Sequence, residues 1–308
     1  MPLHNHMHPP VEPPIQLPLA PQPVPSRWQD LLALTKLRLS SLVCFSAALG
    51  YMMAAVRPFS IGQIALFTAS GLFITGAANA VNQVLEVEFD RLMKRTGSRP
   101  IPAGRISKQQ ALVLVAVLLF SGLFIQTLWF NPLTASISFI SFVLYGFVYT
   151  PLKRVGSIAV YVGAIPGGLP PLIGWVAATG TLGGEAVWLF AIQFVWQFTH
   201  FWAVAWVLDD DYKKAGFKLL PLSRPPTSRT ATVILLFTIW LVPLAVLPYS
   251  WGYIGALSAG LAVILAVALI WLNIKLMRQP TLLSAKQLMF AAFGYLPLVQ
   301  IAFVIDRV

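Results

Sequence analysis

The sequence predicts an all-α, polytopic membrane protein: about nine transmembrane helices in two pseudo-repeated bundles around a central cavity. Three observations predict it. The 308 residues are 57% hydrophobic and only 10% charged, with a mean hydropathy of +0.76, too apolar for a soluble domain. Apolar runs of membrane-spanning length follow one another along the chain, separated by short polar segments. The basic residues fall on alternate connections, as they do in membrane proteins whose Lys and Arg gather on the cytoplasmic side.

Residues 1–26 carry nine prolines and no apolar helix pattern. They are neither a secretory signal nor an Arg-rich transit peptide, and read as a disordered tail. His4, His6 and His8 alternate there, a pattern that could catch a metal weakly or simply be solvated. Residues 27–308 form the membrane domain. Its apolar runs are 39–56, 61–85, 110–130, 132–149, 158–179, 186–208, 230–248, 252–274 and 288–305. The single cysteine, Cys44, lies inside the first run and cannot form an internal disulfide. In the fifth, "PGGLPP" (166–171) reads as a break in the helix at membrane depth, tolerated where it lines a cavity.

With the N-terminus inside and alternating spans, every Lys and Arg except Arg57 and Arg307 falls on the cytoplasmic side, and the C-terminus lies opposite. The net charge of +11 is thereby a membrane-topology signal, not a nucleic-acid signal. Six of the ten acidic residues sit in two loops, after spans two and six: Glu86, Glu88, Asp90, then Asp209, Asp210, Asp211. The loops are four spans apart, hence on one side of the membrane and in matching places of two parallel halves, with a site expected between the halves.

The first loop reads "NQVLEVEFDRLMKRTGSRPIPAGRIS" (82–107). Asn82, Glu86 and Asp90 recur every fourth residue. Each such step advances a helix by roughly 40°, so all three share one face, with Glu88 opposite. An amide and two carboxylates at the end of a span make a hard-oxygen site suited to Mg2+, which binds through one or two carboxylates plus phosphate oxygens. A solvated helix end with i,i+4 pairs to Arg91, Lys94 and Arg95 is the plainer alternative. Carboxylates followed closely by Arg91, Lys94, Arg95 and Arg99 are the equipment for a diphosphate. No GxxxxGK[ST] loop is present, so ATP hydrolysis has no support. A diphosphate in a membrane protein suggests an isoprenyl chain in the bilayer.

These residues carry a resemblance. The 82–107 segment is similar to the NxxxDxxxD motif of the UbiA-type intramembrane prenyltransferases. Within that superfamily "DRLMKRTGSRPIPAGRI", "YTPLKR" (149–154), "GAIPGGLPPLIGW" (163–175), "THFWAVAW" (199–206) and "DDYKKAGFKLLP" (210–221) look like the heme O synthase branch. The similarity runs from about residue 34 to about residue 286. Two departures stand out: Glu86 replaces the middle Asp, and Asp210 and Asp211 are not followed by an acid four residues on.

The resemblance implies a farnesyl transfer from farnesyl diphosphate to the vinyl group of heme B, giving heme O. It implies Mg2+ held by Asn82, Glu86 and Asp90 on one side and Asp210 and Asp211 on the other. Arg91, Lys94, Arg95, Arg99, Lys153 and Arg154 become the candidates for diphosphate oxygens, with Tyr149 and Tyr212 as further donors. His200, alone outside the tail, would share a face with Asp211 if span six stays helical between them. It could ligate heme iron, bond a propionate, act on water or pack against a helix. Phe194, Trp196, Phe198, Phe201, Trp202 and Trp206 could stack on a porphyrin or fill the core. The implied setting is the bacterial inner membrane, with lipid, heme A synthase or terminal-oxidase assembly as partners and no nucleic acid. Three rivals stay open: a quinone- or chlorophyll-type prenyltransferase, a transporter, and a basic structural membrane protein.

Overall fold

The computed structural model describes residues 25–56, 58–222 and 225–308. The tail expected over 1–26 lies outside them up to residue 24, with its three histidines. Ser26 is already structured: it caps α1 (Arg27–Thr35) in a reciprocal box with Gln29.

Nine helical segments are long and apolar enough to span a bilayer among the described residues. They begin with α2 (Leu37–Ala54) and α3 (Ile61–Leu85), followed by the short α4 (Val87–Asp90). The third span is α5 (Lys108–Trp129). The fourth is α6 (Pro132–Val143), a π-helical turn (Leu144–Tyr149) and α7 (Thr150–Leu152). Then come α8 (Ile158–Thr179), α9 (Gly184–Val207), the short α10 (Asp209–Lys214), and α11 (Ser228–Thr238) with α12 (Leu241–Ser250) as one span. α13 (Ala256–Arg278) and α14 (Leu282–Ile305) complete the set. The starts follow local chemistry: Ser107 and Gln110 box the start of α5, and Asn131 caps α6 with Pro132 behind it. The last two spans differ most from the sequence reading: α13 is shifted by about one turn, and α14 starts at Leu282 because Thr281 caps it there.

Two large apolar cores, with two smaller clusters on α2, α3, α8 and α9, surround a central cavity. One gathers Leu34, Ile74, Ala77, Val81, Ala111, Val115 and Phe142 from α1, α3, α5 and α6. The larger is built by the later helices around Leu189, Ile192, Phe198, Trp202, Ile234, Ala262, Leu288 and Phe303. Between them α2 packs closely on α8. A Cβ on Gly50 would collide with the Pro171 carbonyl, and one on Gly174 with the Ala47 carbonyl.

The α8 helix corrects the expectation of a break at "PGGLPP": it runs unbroken through Pro166, Pro170 and Pro171. Pro170 and Pro171 lack the N–H groups that would bond Pro166 O and Gly167 O. Those two carbonyls are taken instead by Ser141 Oγ (3.4 Å) and Gln193 Nε2 (2.8 Å). Neighbouring side chains thus repair the ladder in place. Gln193 belongs to a buried node in which Ser46 Oγ donates to Gln193 Oε1 (2.6 Å) and Gln300 Nε2 reaches both (2.9 Å each). It ties α2, α9 and α14 together at membrane depth.

Candidate active site

The site lies at the end of the bundle where α4 and α10 meet. Both acidic loops are there and touch: the Lys94 N–H donates to Asp211 Oδ1 at 3.2 Å, and Phe89 stacks on Phe217 with ring centroids 5.7 Å apart. The even spacing of the loops predicted this shared end.

α3 does not continue through the motif. Glu86 (φ −100°, ψ 7°) is a joint between α3 and α4. Glu86 N still bonds Asn82 O (3.0 Å) and Asp90 N bonds Glu86 O (2.8 Å), so the fourfold offset survives. Asn82, Glu86 and Asp90 are 1%, 3% and 0% exposed, while Glu88, on the other face, has 64% of its side chain exposed and pairs with Arg91 at 2.9 Å.

Each of the three inward groups faces a cation. Lys36 Nζ donates to Asn82 Oδ1 (3.2 Å), and Asn82 Nδ2 donates to Thr150 Oγ1 (3.0 Å). Lys153 Nζ lies 2.9 Å from Glu86 Oε1. Arg99 Nη1 donates to Asp90 Oδ2 at 2.7 Å. Asp90 Oδ1 is buried with no hydrogen-bond partner among the described residues. Burial, the largest single influence, pulls the Lys153 ammonium's pKa down; the Glu86 carboxylate, together with Tyr145 and Tyr212, more than offsets it and the net shift is upward. Lys36 pairs with no carboxylate among the described residues, so burial, with repulsion from Arg99 and Lys153, outweighs the more distant Glu86 and Asp90 and brings it down to about 7. Among the described residues, no three His, Cys, Asp or Glu side chains form a ready-made metal cage.

The other candidates stand further out. Lys94 and Arg95 are exposed, and the Arg91 guanidinium is held at the surface by Glu88. Arg154 donates to Leu85 O (3.2 Å), the carbonyl at the end of α3, and lies over the Phe89 ring. Asp210 is exposed on α10, whereas Asp211 also has Lys214 Nζ at 3.9 Å.

Sequence reading missed Lys36 and Thr150. A lysine at the edge of a span reads only as a topology charge. Thr150 enters the site through the π-helical turn: Pro151 has no N–H for the ladder, the turn widens, and the Thr150 hydroxyl bonds Tyr145 O at 2.8 Å. The turn also stacks Tyr149 beneath Lys153, with Nζ 4.7 Å from the ring centroid.

Behind this cluster lies a cavity of about 440 Å³, within the size range of ligand pockets. Tyr145, Tyr149 and Asn79 line its polar end; Phe67, Ile173 and Phe142 line its depth. Leu42, Phe45 and Phe293 line it while being 43%, 39% and 47% exposed, so it opens sideways where α2 faces α14. Of the six aromatic residues on α9 singled out from sequence, only Trp196 and Phe201 line the cavity; Phe198 and Trp202 are core.

His200 also lines the cavity, but not for the anticipated reason. α9 ends at Val207, and Leu208 (φ −103°, ψ 14°) separates it from α10, so no continuous helix links His200 to Asp211. The imidazole stacks on Trp196 (4.9 Å, 10°), and its Nδ1 is buried without a hydrogen-bond partner among the described residues. Deep polar groups such as the Ser46–Gln193–Gln300 node are neutral and bonded within the protein, unlike a charged transport path.

Residues 43–296 match the UbiA prenyltransferase family. The chain belongs to the UbiA prenyltransferase family. It is 47% identical over 283 residues to a protein of Cytophaga hutchinsonii named protoheme IX farnesyltransferase, covering 92% of this chain and 99% of that one. A protein of the same name from Flavobacterium psychrophilum is 42% identical, with 92% and 96% covered. Among solved UbiA-type structures, a study of digeranylgeranylglyceryl phosphate synthase gives a TM-score of 0.76 at 21% identity, covering 91% of this chain and 98% of that chain. A UbiA homologue from Archaeoglobus fulgidus bound to GPP and Mg2+ gives 0.67 at 16%, with 87% and 99% covered. The UbiA family is all-helical and polytopic, as this chain is.

Proposed function

We propose that this UbiA-family protein transfers the farnesyl group of farnesyl diphosphate to a vinyl group of heme B, forming heme O and releasing diphosphate. One juxtaposition carries the reading: a buried cluster of hard oxygens and cations at the polar end of an apolar cavity that opens sideways to lipid. Such a site suits a diphosphate head with a long apolar tail. The names of the relatives at 47% and 42% identity support heme B as acceptor.

Mg2+ fits the donor set. Asp90 Oδ1 is buried and unpartnered among the described residues, Asn82 and Glu86 offer oxygens on the same face, and Asp211 of the second loop meets the first loop at the Lys94 N–H, with Asp210 exposed beside it. Two carboxylates plus substrate phosphates are what Mg2+ uses in place of an all-protein cage. When bound, the ion would offset the negative charge that develops on the departing diphosphate. Arg99 and Lys153, already fixed in the site, hold phosphate oxygens in the same sense, and Arg91, Lys94, Arg95 and Arg154 supply an outer cationic rim. The allylic C–O bond breaks with its electron pair leaving on diphosphate. The terminal vinyl carbon of heme forms the new C–C bond. Water adds to the inner vinyl carbon and gives up a proton. Tyr145 and Tyr149 keep bulk water from the allylic cation, and His200, with Trp196, Phe201 and Phe293, forms the wall against which the porphyrin lies.

The basic end, with the N-terminus, faces the cytoplasm of a bacterial inner membrane, and the product feeds heme A synthase or terminal-oxidase assembly. The test is purified protein with heme B, farnesyl diphosphate and Mg2+, followed by mass spectrometry. A product heavier by one farnesyl group and one hydroxyl group is expected, and chelation of Mg2+ should suppress it. Unchanged porphyrin, under conditions in which a protoheme IX farnesyltransferase control reacts, refutes the assignment.

A further inference from the structure

The buried cluster sets three basic side chains, Lys36, Arg99 and Lys153, against two carboxylates, Glu86 and Asp90. Arg99 takes Asp90 and Lys153 takes Glu86. Among the described residues Lys36 is left with one hydrogen bond, to the neutral amide oxygen of Asn82 (3.2 Å). A buried ammonium without a carboxylate is costly unless an anion meets it.

Its backbone is costly too. Lys36 (φ 47°, ψ 53°) is the only non-glycine residue with positive φ among the described residues. A side chain bearing a Cβ disfavours that region, and such strain persists only when the surroundings impose it.

The surroundings that impose it belong to α1 and its attachments. Asp30, on α1, is 5% exposed. Its carboxylate receives Arg105 Nε on both oxygens (3.0 Å each), and Arg105 Nη2 also bonds Ser98 O (3.0 Å). The end of α1 is then gripped from α3: Gln83 Nε2 donates to Leu34 O (2.8 Å) and Asn79 Nδ2 to Thr35 O (3.4 Å). Ser40 Oγ, from α2, donates to Thr35 O at 2.8 Å. The chain is thereby turned sharply between α1 and α2, with the Lys36 side chain directed at Asn82. The loop held by Arg105 also carries Arg99, so one segment fixes two of the three cations.

We infer that Lys36 is a third cation for the diphosphate, and that α1 is a strap, locked by Asp30–Arg105, that positions it. This rests on the prenyl-diphosphate reading above. If Lys36 served only to support Asn82, any donor of similar length would do; if its charge is used, only a cation will.

The probe is farnesyl S-thiolodiphosphate with Mg2+, its equilibrium binding measured on the purified full-length protein. Lys36→Gln keeps a donor and removes the charge. It should weaken binding about 10- to 100-fold, the scale of a lost charge-assisted hydrogen bond. Lys36→Arg should stay within about threefold. Asp30→Asn should weaken the same binding by about three- to tenfold through misplaced charge, and should add nothing on the Lys36→Gln background. The KM for heme B should not move in any of them. Melting temperature in detergent is followed in parallel, with Arg105→Lys replacing Asp30→Asn if the latter does not fold. Wild-type affinity in a folded Lys36→Gln protein overturns the cation role. A full Asp30→Asn loss persisting on that background overturns the strap. A wild type that binds the probe without converting heme B refutes the acceptor alone, and one that binds no probe refutes both readings.

Discussion

Replacing Asp90 by Asn tests the site where structure and chemistry are most entangled. The Asp90 side chain is wholly buried, and Arg99 Nη1 lies 2.7 Å from Oδ2 with its own side chain 20% exposed. Removing one partner of a buried pair costs about 3–5 kcal/mol. Asn retains the volume and one acceptor, and Arg99 retains some solvent, so a loss of about 2–3 kcal/mol is expected. That alone would not identify a catalytic role. The double variant Asp90→Asn/Arg99→Met isolates the stability effect, because it removes the stranded guanidinium with the charge that held it; it also removes a cation assigned to the diphosphate, so the single variant carries the test of Asp90 in turnover. Stability, read as the melting temperature of the purified protein in detergent, should largely return. Turnover, read as heme O by mass spectrometry, should stay down by about 10²–10³, the scale of losing one preorganised charged group. Near-normal turnover by Asp90→Asn at saturating Mg2+, or recovery of turnover in the double variant, would refute the reasoning.

Three further outcomes follow from the packing. Gly174→Ala drives a Cβ into the Ala47 carbonyl where α2 meets α8; the strain should cost about 1–3 kcal/mol, seen as a lower melting temperature. Gln193→Leu leaves Gly167 O without its donor and dissolves the node with Ser46 and Gln300; a loss of about 1–3 kcal/mol is expected, with a smaller change in the affinity for the farnesyl analogue. Arg307 donates to Met52 O, Met53 O and Ala55 O at 2.6–2.7 Å, tying the C-terminus to the end of α2. Arg307→Ala should lower stability by about 1.5–3 kcal/mol and leave the KM for farnesyl diphosphate unchanged, since the residue lies at the end of the bundle away from Asp90.

What the sequence made legible follows from which physical signals are local. Apolar runs of bilayer length are set by the solvent, so all nine spans could be read. The fourfold offset of Asn82, Glu86 and Asp90 fixed their common face, even though the helix bends at Glu86. The outcome for α8 was not legible, because the groups that mend its ladder, Ser141 and Gln193, come from other helices. Proline says that a carbonyl will be freed; only the tertiary structure says who takes it. Arg91 and Arg99 illustrate the same limit among charges. Both lie within nine residues of Asp90, yet Arg91 pairs outward with Glu88 and Arg99 inward with Asp90. Nothing in their type or spacing sorts them; the turn from Thr96 to Gly104 that brings Arg99 back does, and it is held by backbone bonds such as Arg99 N to Thr96 O and Gly104 N to Ile101 O. Lys36 was hidden for a different reason. Its sequence context is that of a topology charge at the lip of a span, and its place in the site depends on a left-handed backbone that a non-glycine residue adopts only under tertiary constraint. Residues whose role requires two distant segments to agree cannot be read from either segment alone.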